Sequence, residues 1–246
     1  MSMTMLGLRA LLFRSRTLAL ALLPLIVGAV SLALAVAAQP TDLRDAYPAL
    51  SANLLVSLVV ALVCLVLGVN AFDDERDGGT MPLLMATATP RWRIVVAKLV
   101  AAWLAALVVS LPAVLGVGVL GQRAGFPAGE VWSSLFGTLV LSCAAYVALF
   151  VLLSLLTARA LLVGLGYIVV WEGSFATYVT SLRNLSIGAY GRRLVGVVWP
   201  TAEIPFKVPD IGVTGGGVVL LVVLLVGTGL AVWRLPHIDA TSRSTG

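Results

Sequence analysis

The sequence predicts an all-α integral membrane protein: six transmembrane helices, an N-terminal amphipathic interfacial helix and one short cytoplasmic helix between the second and third spans. Three observations predict it. Of 246 residues, 60% are hydrophobic and only 11% charged, with mean hydropathy +1.07; soluble domains carry about 25% charged and about 45–50% apolar residues. The apolar residues form long blocks rather than one face of each helix. A helix apolar all round needs a large core or a bilayer around it, and this chain is too small to build a core for so many. Finally, the blocks approach the roughly 20 helical residues that cross a hydrocarbon layer about 30 Å thick.

The whole chain, 1–246, reads as a single transmembrane domain. Residues 2–16 mix Leu6, Leu8, Leu11, Leu12 and Phe13 with Arg9, Arg14 and Arg16. They are too short and basic to span, and suit a helix lying at the headgroups. The first span is 17–38, ending at Gln39-Pro40. A signal peptide competes here, because Ala35-Val36-Ala37 resembles a cleavage site, but this run exceeds the roughly 7–15 apolar residues of a signal. Residues 39–50 hold Pro40, Asp42, Arg44, Asp45 and Pro48 and read as a short loop. The second span is 51–72. The third is 93–120, with Pro112 a kink. Gly121 to Glu130 is a loop. The fourth span is 132–156, and Thr157-Ala158-Arg159 turns tightly into a fifth at 160–179. Residues 180–212 form a long external loop that fits two short interfacial helices. The sixth span is 213–234.

Orientation follows from Lys and Arg, which collect in cytoplasmic loops. An inside N-terminus assigns Arg9, Arg14, Arg16, Arg76, Arg91, Arg93, Lys98, Arg159, Arg234 and Arg243 to the cytoplasm. It leaves Arg44, Arg123, Arg183, Arg192, Arg193 and Lys207 outside. Both termini are therefore expected in the cytoplasm and the chain in the cytoplasmic (inner) membrane. The net charge of +5 has the same origin; no basic run argues for nucleic acid. Cys64 and Cys143 fall inside apolar blocks and read as small hydrophobes. His237 is the only histidine, which argues against a histidine-based metal site. No triad, paired catalytic carboxylates or metal cluster is visible, so an enzyme reading lacks residues to carry it.

The most polar internal segment is 73–93. Four acids and an arginine (Asp73, Asp74, Glu75, Arg76, Asp77) precede Gly78-Gly79, which permits a sharp turn. Thr80 can cap a short helix and Pro82 suits its first turn. That helix presents Leu83, Leu84 and Met85 and ends before Pro90. Arg91-Trp92-Arg93 then re-enters at headgroup depth. An apolar knob beside charges is a docking surface, or a helix packed on its own bundle; the residues alone leave both open.

This segment resembles the permease subunits of ATP-binding-cassette (ABC) exporters of the second type. The matching positions are Glu75-Arg76-Asp77, Gly79-Thr80, Leu83-Leu84, Ala86-Thr87, Arg91 and Lys98, with Ala88 where that family often has Pro and Pro90 slightly late. The six spans, basic N-terminal helix and long last external loop add to the likeness. The resemblance implies that 73–93 is a coupling helix gripped by a separate nucleotide-binding ATPase subunit, with Asp74, Glu75, Arg76, Asp77, Gly79, Thr80, Leu83, Leu84, Thr87 and Arg91 at that contact. It implies an ATP-driven exporter whose path forms from two permeases, a second copy or a sister chain. No Walker A pattern (G-x-x-x-x-G-K-[ST]) occurs, so ATP and magnesium belong to the partner and no cofactor to this chain. The alternatives are a secondary transporter or channel without an ATPase, and a membrane anchoring or assembly protein.

Three residues are candidates for the translocation path. Glu172, beside Trp171, lies 13 positions beyond Arg159, about 20 Å along a helix, where an ionisable group is a functional candidate by default. It either faces the path, pairs with an arginine of 183–193, or sits at a bend near Gly173-Ser174. Asn70, like Asn53 and Ser57, is a polar residue on the second span, where bridging helices is the commoner role.

Overall fold

The computed structural model describes residues 15–77, 90–175, 183–199, 204–209 and 211–235. The expected interfacial helix falls mostly, and the knob of the 73–93 segment entirely, outside the described residues.

Helix α1 is Ser15–Ala37. Helix α2 covers residues 40–77 as one continuous rod in three parts: α-helical Pro40–Pro48, π-helical Ala49–Val60 and α-helical Ala61–Asp77. Helix α3 is Arg91–Arg123 and α4 is Ala128–Leu156. Helix α5 joins Ala160–Gly166 to a π-helical Tyr167–Phe175. Helix α6 is the short Ile187–Val195, and α7 is Val213–Arg234. No strand occurs among the described residues. The protein is an all-α integral membrane protein.

Five described helices are long and apolar enough to cross a bilayer: Leu20–Ala37, Pro40–Phe72, Trp92–Arg123, Ala128–Leu156 and Val213–Arg234. The span expected at 160–179 is shorter in its described part, an apolar helix of Ala160–Ser174. On its last turns Glu172 is buried while Val169 and Val170 stay exposed.

Residues 39–50 are not a loop. Pro40 opens a helix at its first turn, where its missing N–H costs nothing. Leu43 and Tyr47, four apart, are buried, while Asp42, Arg44 and Asp45 face outward. Pro48 withholds an N–H from the preceding turn, and the π-helical winding starts at the next residue. Two hydroxyls serve carbonyls there: Ser51 Oγ donates to Tyr47 O at 2.6 Å and Ser57 Oγ to Ala52 O at 3.1 Å.

The chain runs up and down. The near end carries Asp77, Arg91, the Thr157–Arg159 turn and Arg234; the far end carries Gln39, Ala124–Pro127 and α6. Helices α2 and α4 form the centre, and α1 packs on α3 and α7 on α4. Outward faces stay apolar, with Leu22, Leu225 and Trp233 exposed, as lipid requires. Where α1 crosses α3 the backbones touch. A Cβ on Gly28 would lie 2.3 Å from Pro112 O, and one on Gly116 2.3 Å from Gly28 O. Small residues permit such contact in membranes, where dispersion rather than water expulsion holds helices together. Cys64 and Cys143 are free and buried.

Candidate functional site

Two polar places stand out in this apolar bundle, one at each end.

The near-end place is the base of the 73–93 segment. Asp74, Glu75, Arg76 and Asp77 are the last residues of α2, and Pro90, extended, opens α3 at Arg91. Gly79, Thr80, Leu83, Leu84 and Thr87 lie outside the described residues. Lys98, two turns into α3, fastens the two stems. Its Nζ donates to Ala71 O at 2.5 Å and stands 5.0 Å from the centre of the Phe72 ring. An ammonium that close to a ring face is attracted by the quadrupole. Beside it, the Arg93 guanidinium lies 5.3 Å from the Trp92 ring. Asn70 is 2% exposed, and its Oδ1 has no hydrogen-bond partner among the described residues.

The far-end place is built on Glu172, 2% exposed on the π-helical part of α5. Tyr167 Oη donates to Oε1 at 3.0 Å, and the Gly188 N–H reaches both carboxylate oxygens at 3.1 and 3.2 Å. The Ser186 hydroxyl donates to Oε2 and accepts from the Ala189 N–H at 3.0 Å. Ser186 thus caps α6, and Glu172 satisfies a first-turn amide where a helix leaves its donors orphaned and its dipole favours negative charge. Tyr146 on α4 turns its hydroxyl toward the same carboxylate without reaching good bonding geometry. Trp171 is half-buried beside it.

Helix α6 is not interfacial. All residues from Ile187 to Val195 are buried, including Arg192 and Arg193. The Arg192 guanidinium donates to Ser57 Oγ on α2 at 2.7 Å, and Arg193 Nε to Ile211 O at 2.8 Å. Burial pulls the Arg192 guanidinium below its ordinary value, while the nearby Glu172 charge pulls it back up. Thr138 and Ser142, at helical spacing with Tyr146 on α4, are buried with hydroxyls lacking partners among the described residues. An aromatic cluster seals this end: Tyr47 to Phe126 at 5.1 Å, Phe126 to Trp199 at 5.1 Å and Trp199 to Phe206 at 5.5 Å between ring centres.

The family model described as ABC-2 family transporter protein matches residues 9–190. The chain belongs to the ABC-2 transporter family. It is a multi-pass membrane permease of an ABC transporter, a membrane transport component. The match takes in the 73–93 segment, Glu172 and the cap of α6. No curated protein matches the chain closely enough to serve as a relative.

The permease keeps its candidate residues apart. Asn70 sits with the Lys98 clamp near one end, Glu172 and Trp171 near the other. Sequence reading missed Tyr146, Tyr167, Ser186 and Gly188 around Glu172. The available signal was local: a serine ahead of Ile187–Val195 is an N-cap pattern whose remaining amides need an acceptor.

Proposed function

We propose that residues 73–93 are the coupling segment of this permease, gripped by a separate nucleotide-binding ATPase subunit that binds ATP and magnesium and drives export. The Lys98 clamp carries this reading. It ties the end of α2 to the start of α3, so the knob stands on a paired base, and a push on it reaches two spans together. The acidic-Arg-acidic run, Gly79-Thr80 and Leu83-Leu84 between those stems match the coupling pattern of such permeases. Nucleotide must bind one packing of the assembly more tightly than the other, or it shifts nothing.

The working unit is a dimer, of two copies or with a sister permease, because one copy of this bundle supplies half a path. Its place is the cytoplasmic membrane, with both termini and the knob in the cytoplasm. The concentration of arginines around the first span and the near end supports that orientation.

The test is the ATPase rate of the reconstituted permease–ATPase complex. Glu75→Ala or Leu84→Ala uncouples it: the rate no longer responds to the permease. A permease that works from an ion gradient, indifferent to both changes, contradicts the proposal.

A further inference from the structure

Helix α6 packs on α4, α2 and α7, and is bonded to Glu172 on α5, Ser57 on α2 and Ile211 ahead of α7. Two of its glycines lie over hydroxyls of α4. A Cβ on Gly188 would stand 2.9 Å from Tyr146 Oη, and one on Gly191 2.7 Å from Ser142 Oγ. Both hydroxyls are buried and lack partners among the described residues, and their spacing of four puts them on one face of α4. Arg192, 6% exposed, brings a guanidinium to the same layer. It donates to Ser57 Oγ at 2.7 Å, and its charge interacts with Tyr146 and Glu172. A guanidinium has five donors in a fork that matches a carboxylate or phosphate. Glu172 is already engaged, with Tyr167, Ser186 and Gly188 on its oxygens. It is one buried carboxylate beside two buried arginines, Arg192 and Arg193, and Arg183 adds a further like charge within range. Buried cations in excess cost free energy until an anion joins them.

An apolar slot adjoins this layer. About 180 Å³ of unfilled space, too narrow in this packing for a water, is lined by Leu55, Val56, Val60, Thr138, Leu139 and Val195. Val56 and Thr138 also meet the Cβ position of Gly191, so slot and polar layer share a wall. Leu55, Val56 and Val60 belong to the π-helical part of α2, a rare winding that recurs at functional sites.

We propose that Arg192, Ser142 and Tyr146 form a binding subsite for the oxyanion head, carboxylate or phosphate, of an amphipathic ligand whose alkyl chain takes the slot beside α2. The head supplies the acceptor that the guanidinium and both hydroxyls lack, and the chain meets only Leu, Val and the Thr138 methyl. This inference rests on the chain being a permease with more than one packing, because the slot must widen to admit a chain. A ligand that binds the widened packing better shifts the population toward it.

The test is the thermal midpoint of the purified full chain in neutral detergent, titrated with octyl phosphate or, at matched concentration, octyltrimethylammonium. Octyl phosphate raises the midpoint saturably and the ammonium does not. Arg192→Gln abolishes the shift. Ser142→Ala weakens the apparent affinity about tenfold, the usual worth of a bond to a charged group. That variant loses only an unpartnered hydroxyl, so it folds and decides the matter where Arg192→Gln does not. A two-chain anionic phospholipid that competes octyl phosphate away identifies the bilayer as the source of the head; one that fails to compete identifies a single-chain cargo. Equal shifts with the phosphate and the ammonium, or parental affinity in either folded variant, overturn the proposal. These arms contain no ATPase. Binding as described, with an ATPase rate indifferent to Glu75→Ala, counts against the coupling reading alone.

Discussion

Lys98 on α3 donates to the carbonyl of Ala71 on α2, 27 residues earlier in the chain. That bond joins the last turns of α2 to the second turn of α3, on either side of residues 78–89.

Removing the ammonium loosens this junction. Lys98→Met keeps the length and apolar stem but loses the bond and the cation over Phe72. Assembly with the ATPase subunit is expected to need roughly tenfold more of it, by the usual worth of a charge-assisted bond. Lys98→Arg retains a cation and loses less. Titration of the complex by light scattering or native mass measurement distinguishes the two.

The α1–α3 crossing has no room. Gly116→Leu places side-chain atoms where Gly28 backbone stands, with a Cβ clash at 2.3 Å before the rest is counted. The helices must part, and overpacking of this kind costs about 1–3 kcal/mol or more. The expected result is a lowered thermal midpoint in detergent and loss of α1 packing. Gly229→Leu, where a Cβ meets nothing within 4 Å, is the neutral control.

Buried hydroxyls without partners are a cost that can be removed. Thr138→Val and Ser142→Ala take away groups with no hydrogen bond among the described residues. In the resting state each is expected to be neutral or stabilising by up to about 1–3 kcal/mol, seen as an unchanged or higher thermal midpoint. A marked fall shows that these hydroxyls already have partners.

Ser57→Ala works the other way. Arg192 is 6% exposed, and deleting its acceptor leaves a buried guanidinium short of one bond, costing about 1–3 kcal/mol. Ser57→Thr, which keeps a hydroxyl, retains most of the stability.

The spans were legible because lipid imposes one rule on every outward residue, and blocks of Leu, Val and Ala obey it. The start of α2 was hidden because Pro40, Pro48 and three charges resemble a loop in one dimension. Only in the fold do Leu43 and Tyr47 share a buried face, and only there does Tyr47 meet Phe126 and Trp199. The depth of Glu172 could be counted from Arg159 at the helical rise. Its partners could not, since Gly188 lies 16 residues onward and no periodicity announces which helix end an acid will cap. Likewise nothing in the sequence says that Arg192 and Arg193 are buried. Burial there follows from two glycines and from acceptors at Ser57 and Ile211, which belong to other elements.

The central claim is that the knob presented by Leu83 and Leu84 is held by a nucleotide-driven partner. A photo-crosslinking side chain at Leu84, in the full chain in its own membrane, tests it most directly. The account predicts an adduct between the permease and a nucleotide-binding ATPase subunit, with a yield that changes when ATP is added. Adducts confined to the permease itself, unaffected by ATP, contradict it.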